Sequence, residues 1–207
     1  MTQHKTIQAG VQPRPSGKAM IMVHGRGANA DDILSLAGNL PVKDYTLVAP
    51  QAATRAWYPY SFMAPVQQNQ PHLDEALLTL AELEADLLAK GINGQDLYWM
   101  GFSQGACLTL EYVTRNAKVY GGVLAFTGGL IGATPDRSKY TGHFGNTPVF
   151  IGSSDPDAHV PVERVQESSR IISSMGGNVR EMIYPGMGHT ITMAEIRDAI
   201  AHVWHIH

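Results

Sequence analysis

The chain has 207 residues, 44% of them hydrophobic, and a formal net charge of −3 at pH 7. That length favours a single domain, residues 1–207, with a large core. The charge balance, with no basic stripe, argues against nucleic acid as a partner. No apolar run reaches the roughly 20 residues of a membrane-spanning helix, so we expect no stable membrane insertion.

Two further features bear on the cellular compartment. Residues 1–8 lack the apolar core of a secretory signal. Cys107 is the single cysteine, so the chain can form no internal disulfide, which fits a reducing cytoplasm. A processed secreted chain would begin in the same way, and a cytoplasmic location is therefore an expectation.

Six short apolar runs predict the strands of a sheet that is covered on both faces. They are residues 19–23, 45–49, 97–102, 121–126, 149–151 and 179–184. The last run alternates in part between apolar and polar residues, which indicates an edge strand.

Helical patterns lie between these runs. Leucines spaced by three and four over 73–87 predict a helix that begins near Pro71. A second apolar stripe follows Pro161, and a third, over 196–203, comes after a capping-box pattern at 192–195. Strands alternating with helices predict an α/β fold with a mostly parallel central sheet and helices on both faces.

The most informative motif is Gly-Phe-Ser-Gln-Gly at residues 101–105, a G-x-S-x-G box. It follows the predicted strand at 97–102 and precedes a segment that can continue as a helix. In that context the box forms a strained turn that lifts the Ser103 hydroxyl above the sheet edge. Ser103 is therefore the candidate nucleophile.

A serine hydroxyl needs a base to remove its proton, and the base needs an acid to orient it. In folds built around this turn, the acid and then the histidine follow the serine in the chain. Asp155 and Asp157, after the run at 149–151, are the candidate acids, and His189, after the run at 179–184, is the candidate base. All three lie beyond the carboxyl ends of predicted strands, where open α/β sheets place their sites.

Attack on a carbonyl carbon passes through a tetrahedral intermediate, and two backbone N–H groups are needed to stabilise its oxyanion. One is expected from Gln104, the residue after the nucleophile. The other is expected from the loop after the first predicted strand, where Arg26 is the candidate. His24 is expected to shape that loop through hydrogen bonds.

These segments resemble the phospholipase/carboxylesterase family, the small lidless α/β-hydrolases related to acyl-protein thioesterases. The resemblance extends over residues 18–204, and four segments carry it: His-Gly-Arg-Gly at 24–27, Gly-Phe-Ser-Gln-Gly-Ala at 101–106, Asp-Ala-His-Val-Pro at 157–161 and Gly-His at 188–189. It implies an α/β-hydrolase fold with no separate lid domain, and a serine carboxylic ester hydrolase with no metal and no organic cofactor. It suggests small-molecule acyl esters, thioesters or lysophospholipids as substrates, without choosing among them.

Two departures from the family pattern bear on the site. Matching Asp-x-x-Val-Pro without a gap selects Asp157 as the acid, whereas the Asp-Pro pair common in the family would select Asp155. We expect Asp157, because its spacing to the helix-opening Val-Pro fixes where the side chain points. Arg26 stands where thioesterases usually carry an apolar residue, and its charge could favour substrates that bear a carboxylate or phosphate.

The stretch 55–70 has no clear periodicity and holds an aromatic cluster. Long loops in compact domains are often functional. Trp57, Tyr58 and Phe62 are candidate substrate-binding residues, with Trp57 foremost, although an ordinary packed loop would have the same composition. His159, beside the candidate acid, is a further candidate at the pocket. An exposed aromatic loop could also pair two copies, so a homodimer is an open alternative.

The remaining histidines and the cysteine are expected outside the chemistry. His202, His205 and His207 have spacings that form no fixed cage, so we expect a solvated tail and not a metal site. Cys107 follows the serine by four residues on the predicted helix, and we expect it in the core.

Two alternatives to a serine esterase stay open. Dienelactone hydrolases resemble this chain in length, but they use a cysteine where this chain has Ser103. The fold can also be kept as a binding domain after catalysis is lost. The presence of all three triad residue types argues against that second alternative.

Overall fold

The computed structural model describes residues 5–206. Its strands, in chain order, are β1 (Thr6–Gly10), β2 (Lys18–Val23), β3 (Tyr45–Pro50), β4 (Leu97–Phe102), β5 (Asn116–Ala117), β6 (Gly122–Phe126), β7 (Thr141–Gly142), β8 (Pro148–Asp155) and β9 (Asn178–Pro185). Its α-helices are α1 (Ala30–Ser35), α2 (His72–Ala89), α3 (Gln104–Arg115), α4 (Val162–Ser174) and α5 (Met193–Val203). Met1 to His4, where a secretory signal would begin, and His207 lie outside the described residues.

The central sheet has seven strands in the spatial order β1-β3-β2-β4-β6-β8-β9. All neighbouring pairs are parallel except β1 with β3, which is antiparallel. The predicted α/β class and mostly parallel sheet are confirmed, and each of the six predicted runs overlaps a strand. The predicted edge strand is β9, which forms one end of the sheet.

Three strands, β1, β5 and β7, were not predicted from the sequence. β1 pairs with β3 at the other end of the sheet, and its side chains alternate between exposed and half-buried. β5 and β7 are two residues long and pair with each other in a separate small sheet. Strands this short or this exposed bury too few apolar side chains to form a recognisable run.

Apolar side chains on the two faces of the sheet enter two separate cores. In β2, Ile21 packs on one side with α2, α3 and α4, whereas Met20 and Met22 pack on the other with α1 and α5. Successive strand residues point to opposite faces, so burial on both faces requires apolar residues at every position. The continuous runs in the sequence are explained by this two-sided burial.

The helices begin where the sequence indicates, with one difference. Pro71 precedes α2 and Pro161 precedes α4, as predicted. The capping box expected for α5 is half formed within residues 5–206: the Thr192 hydroxyl accepts from the Glu195 N–H, but the Thr192 N–H near the Glu195 carboxylate makes no return bond of ordinary geometry. That carboxylate is instead fully buried against Gly152 of β8.

None of the helices within residues 5–206 combines the length and apolar character needed to cross a membrane.

Candidate active site

Ser103 lies in a strained turn between β4 and α3. Its φ is 54° and its ψ is −120°, a conformation that costs a non-glycine residue on the order of 1–3 kcal/mol. A hydrogen bond from the Ser103 N–H to the Phe126 carbonyl, at 2.9 Å, ties the turn to β6. The turn also needs Gly105, because a Cβ there would collide with the carbonyl oxygen of Val23.

Two distant segments bring a histidine and a carboxylate to this serine. The Ser103 Oγ lies 2.8 Å from Nε2 of His189, and Nδ1 of the same ring lies 2.9 Å from Oδ2 of Asp157. The His189 side chain is 25% exposed, whereas the Asp157 side chain is fully buried. The imidazole can therefore exchange a proton with the hydroxyl on one side while a carboxylate accepts from its other nitrogen.

Asp157 is held in its ionised form. Burial alone would raise the pKa of its carboxyl, but hydrogen bonds from the backbone N–H groups of His159 and Val160 and from the His189 ring outweigh burial, and the net pKa is lowered. The two backbone bonds, at 2.7 and 2.9 Å, both reach Oδ1, so Oδ2 remains directed at His189. Asp155, the alternative acid, ends β8 with an exposed side chain.

The loop after β2 is fixed by His24, as predicted. The Ala52 N–H donates to His24 Nε2 at 3.1 Å, so Nδ1 carries the ring proton and donates to the Gly25 carbonyl at 2.8 Å. Burial is the main cause that lowers the pKa of this ring. The neutral His24 ring, with a hydrogen bond at each of its two nitrogens, thus orients the backbone of Gly25 and Arg26.

The two predicted oxyanion donors have unused backbone N–H groups. Within residues 5–206, neither the Arg26 N–H nor the Gln104 N–H donates to a protein acceptor. Gln104 is the first residue of α3, where helical N–H groups have no intrahelical partner and the helix dipole favours negative charge. Both residues line the cavity that contains Ser103.

The cavity over the serine has a volume of about 460 Å³. Three of the predicted substrate-binding residues, Tyr58, Phe62 and His159, lie in its wall. The His159 ring meets the His189 ring edge to face at 4.9 Å between centroids. These three positions are brought together with Ser103 as the sequence analysis expected.

The Arg26 guanidinium is bonded to the loop that forms part of the cavity wall. Its Nη2 donates to the carbonyls of Tyr58 and Tyr60, at 2.8 and 2.9 Å, and its Nη1 donates to that of Pro59 at 3.0 Å. A carboxylate or phosphate is bound bidentately through a pair of donors that includes one of the terminal nitrogens. Because both Nη2 protons are donated to loop carbonyls, no pair of donors that includes Nη2 is free to bind an anion. The guanidinium holds the loop in place, and we call this set of contacts the Arg26 brace.

The side chains of Gln104 and Asn69 hold the same loop. The Gln104 side chain donates to the Tyr58 carbonyl at 2.8 Å and accepts from the Trp57 N–H at 2.9 Å. The buried Asn69 side chain accepts from the Tyr60 N–H and donates to the Ser61 carbonyl. The Asn69 side chain therefore lies within the loop and bonds to its backbone, whereas that of Gln104 reaches the loop from the start of α3.

The expectation for Trp57 is corrected. Its side chain is only 3% exposed and does not line the cavity. The indole N–H donates to the His24 carbonyl at 2.8 Å, and the two rings lie 4.9 Å apart. Trp57 therefore packs against His24 and supports the loop after β2, because its large apolar ring is more stable in the core than at the pocket mouth.

Cys107 is buried one helical turn after Ser103 and reaches the floor of the cavity. Burial raises the pKa of its thiol to about 12. A thiol that stays protonated at neutral pH is a poor nucleophile. This placement agrees with the expected core role.

Of the histidines near the end of the chain, His202 is bonded outside the site, and His207 lies outside the described residues. The His202 ring lies 2.8 Å from the carbonyl oxygen of Asn178. Among residues 5–206 no three His, Cys, Asp or Glu side chains are grouped so as to hold a metal ion.

Comparison with known proteins places this geometry among ester hydrolases. A family model described as Phospholipase/Carboxylesterase matches residues 3–207. The crystal structure of a phospholipase/carboxylesterase from Dyadobacter fermentans DSM 18053 is 50% identical in sequence, with a TM-score of 0.95, and the match covers 99% of each chain.

More distant relatives carry related names. Acyl-protein thioesterase 1 of Eremothecium gossypii is 26% identical over 98% of this chain and 94% of its own length. Carboxylesterase SOBER1 of Arabidopsis thaliana is 27% identical over 70% of this chain and 65% of its own length. A probable carboxylesterase of the same plant is matched over only 42% of its length, so the chain spans about half the length of these plant relatives.

Proposed function

The chain belongs to the phospholipase/carboxylesterase family, and we propose that it hydrolyses small carboxylic esters or thioesters through Ser103, His189, Asp157 and an acyl-enzyme. The observation that carries this proposal is the continuous path of two contacts, 2.8 Å from Ser103 Oγ to His189 Nε2 and 2.9 Å from His189 Nδ1 to Asp157 Oδ2.

In the first half of the reaction, Ser103 Oγ attacks the carbonyl carbon while His189 Nε2 takes the hydroxyl proton. The bond to the leaving oxygen or sulfur then breaks, and His189 returns the proton to that atom. In the second half, water attacks the acyl carbon while His189 takes its proton; the bond to Ser103 Oγ then breaks, His189 returns the proton to Oγ, and the carboxylic acid leaves. Asp157 keeps the imidazole in the required tautomer and stabilises its charged form throughout.

The backbone N–H groups of Arg26 and Gln104 are the proposed oxyanion donors. Their lack of protein acceptors supports this role, because a donor already bonded could not stabilise the developing charge. Donors that are fixed before the reaction need no reorganisation during it. The bonds of His24 and the position of Gln104 at the start of α3 supply that rigidity.

Lactone hydrolysis with a cysteine nucleophile is the less favoured alternative. The strained turn between β4 and α3 holds a serine, Ser103, and the thiol of Cys107 lies in the core with a raised pKa. A lactone that is opened by Ser103 would use the same residues as an ester. Comparing the turnover rates of p-nitrophenyl acetate and of a dienelactone distinguishes an esterase from a lactone hydrolase.

The test of the proposed function is labelling with a fluorophosphonate. We expect a mass adduct on Ser103, loss of ester turnover in step with labelling, and an initial burst of p-nitrophenol. Ser103→Ala should abolish labelling and turnover, whereas the matched control Ser173→Ala, exposed on α4, should keep both. An active protein with no adduct on Ser103 would refute the nucleophile. Unchanged turnover in pure Ser103→Ala would favour a silent binding domain.

We also propose that residues 1–207 act as one α/β-hydrolase domain and that the protein works in the cytoplasm. The single seven-stranded sheet supports the first statement, and the lone buried Cys107 supports the second. A homodimer remains the alternative to a monomer, and Tyr60, 57% exposed on the loop, is the residue that supports it.

A further inference from the structure

A second cavity, of about 360 Å³, also has His189 in its wall. We call it the α1 cleft, because α1 and the 3₁₀-helix after it form one side. Its apolar lining consists of Ala28, Ile33, Leu36, Phe102 and Ile191. Its volume lies within the range of small-molecule sites, roughly 300–1,000 Å³.

Two polar side chains of the α1 cleft, those of His24 and Asp32, are engaged within the protein, and the exposed Thr190 also lines the cleft. Both ring nitrogens of His24 have backbone partners. Asp32 closes the capping box of α1 by accepting from the Asn29 N–H at 2.8 Å. Half-buried Leu36, Phe102 and Ile191 therefore dominate the surface that a ligand would meet.

The α1 cleft adjoins the larger cavity at the reacting atoms. Gly25 and Phe102 line the cleft, whereas the residues that follow them directly, Arg26 and Ser103, line the larger cavity. His189 lines both, and its ring lies 5.4 Å from that of Phe102. The boundary between the two cavities thus runs through the catalytic centre.

This arrangement separates the two halves of an ester. The proposed oxyanion donors line the larger cavity, so the acyl carbonyl oxygen points there. The leaving atom must come within hydrogen-bond distance of His189 Nε2 to receive its proton. A leaving group that lies on this side of His189 would therefore enter the α1 cleft.

We propose that the α1 cleft binds the alcohol or thiol half of the substrate, and that this half is uncharged and apolar. The inference rests on the proposed function and adds a substrate class to it. The lining residues include one carboxylate, Asp32, and no lysine or arginine. A leaving group that carries a phosphate or carboxylate would meet this carboxylate without a compensating cation, whereas an aliphatic chain would bury apolar surface.

The test compares two ester series. In the first, acetate esters carry alcohols from methanol to hexan-1-ol; in the second, methyl esters carry acids from acetate to hexanoate. For the wild type we expect kcat/KM to be at least about tenfold higher for hexyl acetate than for methyl acetate. Leu36→Asp should lower this ratio about tenfold, and the methyl hexanoate to methyl acetate ratio should stay within about twofold of wild type.

Two further variants keep the test decisive. Leu36→Trp fills the cleft without adding charge and should lower the same ratio, which covers the case in which Leu36→Asp does not fold. Leu88→Asp alters a leucine of α2 that is 37% exposed and is not among the lining residues of either cavity, and it should change neither ratio. Loss of acyl-length preference in the Leu36 variants, or no change in either ratio, would overturn the assignment.

A binding measurement separates this inference from the proposed function. Calorimetric titration with hexan-1-ol needs no turnover, and Leu36→Asp should weaken binding about tenfold. Equal binding to the two proteins would overturn the cleft assignment even in an active esterase. The absence of a fluorophosphonate adduct on Ser103 would count against the proposed function instead.

Discussion

Nη2 of Arg26 lies 2.8 Å from the carbonyl oxygen of Tyr58, and Nε2 of Gln104 donates to the same oxygen, also at 2.8 Å. The two residues proposed to supply the oxyanion donors thus hold one carbonyl of the cavity wall between their side chains. Any movement of that wall would displace both backbone N–H donors. The wall and the proposed oxyanion site therefore form one mechanical unit.

Loss of the Arg26 brace is expected to impair catalysis without changing charge preference. Arg26→Ala and Arg26→Lys should each lower kcat/KM about tenfold, because neither side chain can reach three carbonyls in a fixed fork. The factor should be equal for neutral esters and for esters that bear a carboxylate. Steady-state kinetics on such a matched pair measures it. A loss confined to the anionic ester would restore the anion-selective role that the sequence suggested.

Removal of the charge on Asp157 is expected to cost roughly 10³- to 10⁴-fold in kcat, since the amide of Asp157→Asn favours the wrong tautomer of His189. Asp155→Asn is the matched control two residues away, with an exposed side chain, and should change kcat by less than about threefold. Both variants should keep the wild-type melting temperature within a few degrees. If the larger loss followed Asp155→Asn, the orienting acid would have to be reassigned.

The strained turn depends on a glycine after the nucleophile. Gly105→Ala should prevent folding or lower the melting temperature by more than 10 °C, because the new methyl group would collide with the Val23 carbonyl, which the sheet holds in place. Gly38→Ala, in the 3₁₀-helix at Leu36–Asn39, meets open space and should be neutral or slightly stabilising. Thermal unfolding followed by circular dichroism compares the two. A well-folded Gly105→Ala protein would contradict the packing described here.

Glu195 makes the stability of the protein depend on pH. Burial, with a smaller contribution from Asp198, raises the pKa of its carboxyl from 4.5 to about 8 against a lowering by the nearby Thr192 N–H, and neither carboxylate oxygen has a hydrogen bond of ordinary geometry among the described residues. Between those two pH values the folded protein keeps a proton that the unfolded chain releases. Stability is therefore expected to fall as the pH rises through this window and to level off above it.

The substitution Glu195→Gln removes that titration. Relative to wild type, the variant should gain stability from pH 5 to pH 9, by on the order of a few kcal/mol. Glu163→Gln, an exposed change on α4, is the control and should leave the pH dependence unaltered. Urea unfolding at several pH values measures the difference. Parallel curves for wild type and Glu195→Gln would show that Glu195 is already charged in the folded protein.

The order of elements was readable from the sequence, because two-sided burial forces apolar residues at every position of a central strand. Ile21 and Met22 face opposite cores, yet both are apolar, and their run is visible without a structure. β1 was not readable, since its alternating residues leave one face half-buried at the end of the sheet.

Loop side chains were the least predictable part of the site. Tyr58, Phe62 and His159 line the cavity as expected, but Trp57 points inward to His24. Composition cannot separate these outcomes, because an aromatic ring is equally suited to a core and to a pocket wall. Only the surrounding contacts decide which rings face the cavity.

The sequence by itself determined the fold class, the family and the candidate catalytic residues, because a G-x-S-x-G turn and strand-end polar residues follow local rules of backbone geometry. The tertiary structure decided which aspartate reaches His189, that Arg26 braces a loop, and that a second cavity adjoins the histidine. Those features depend on distances between segments far apart in the chain, such as Ser103 and His189, which are 86 residues apart. No local pattern encodes such distances, since they emerge only when the two cores pack against the sheet.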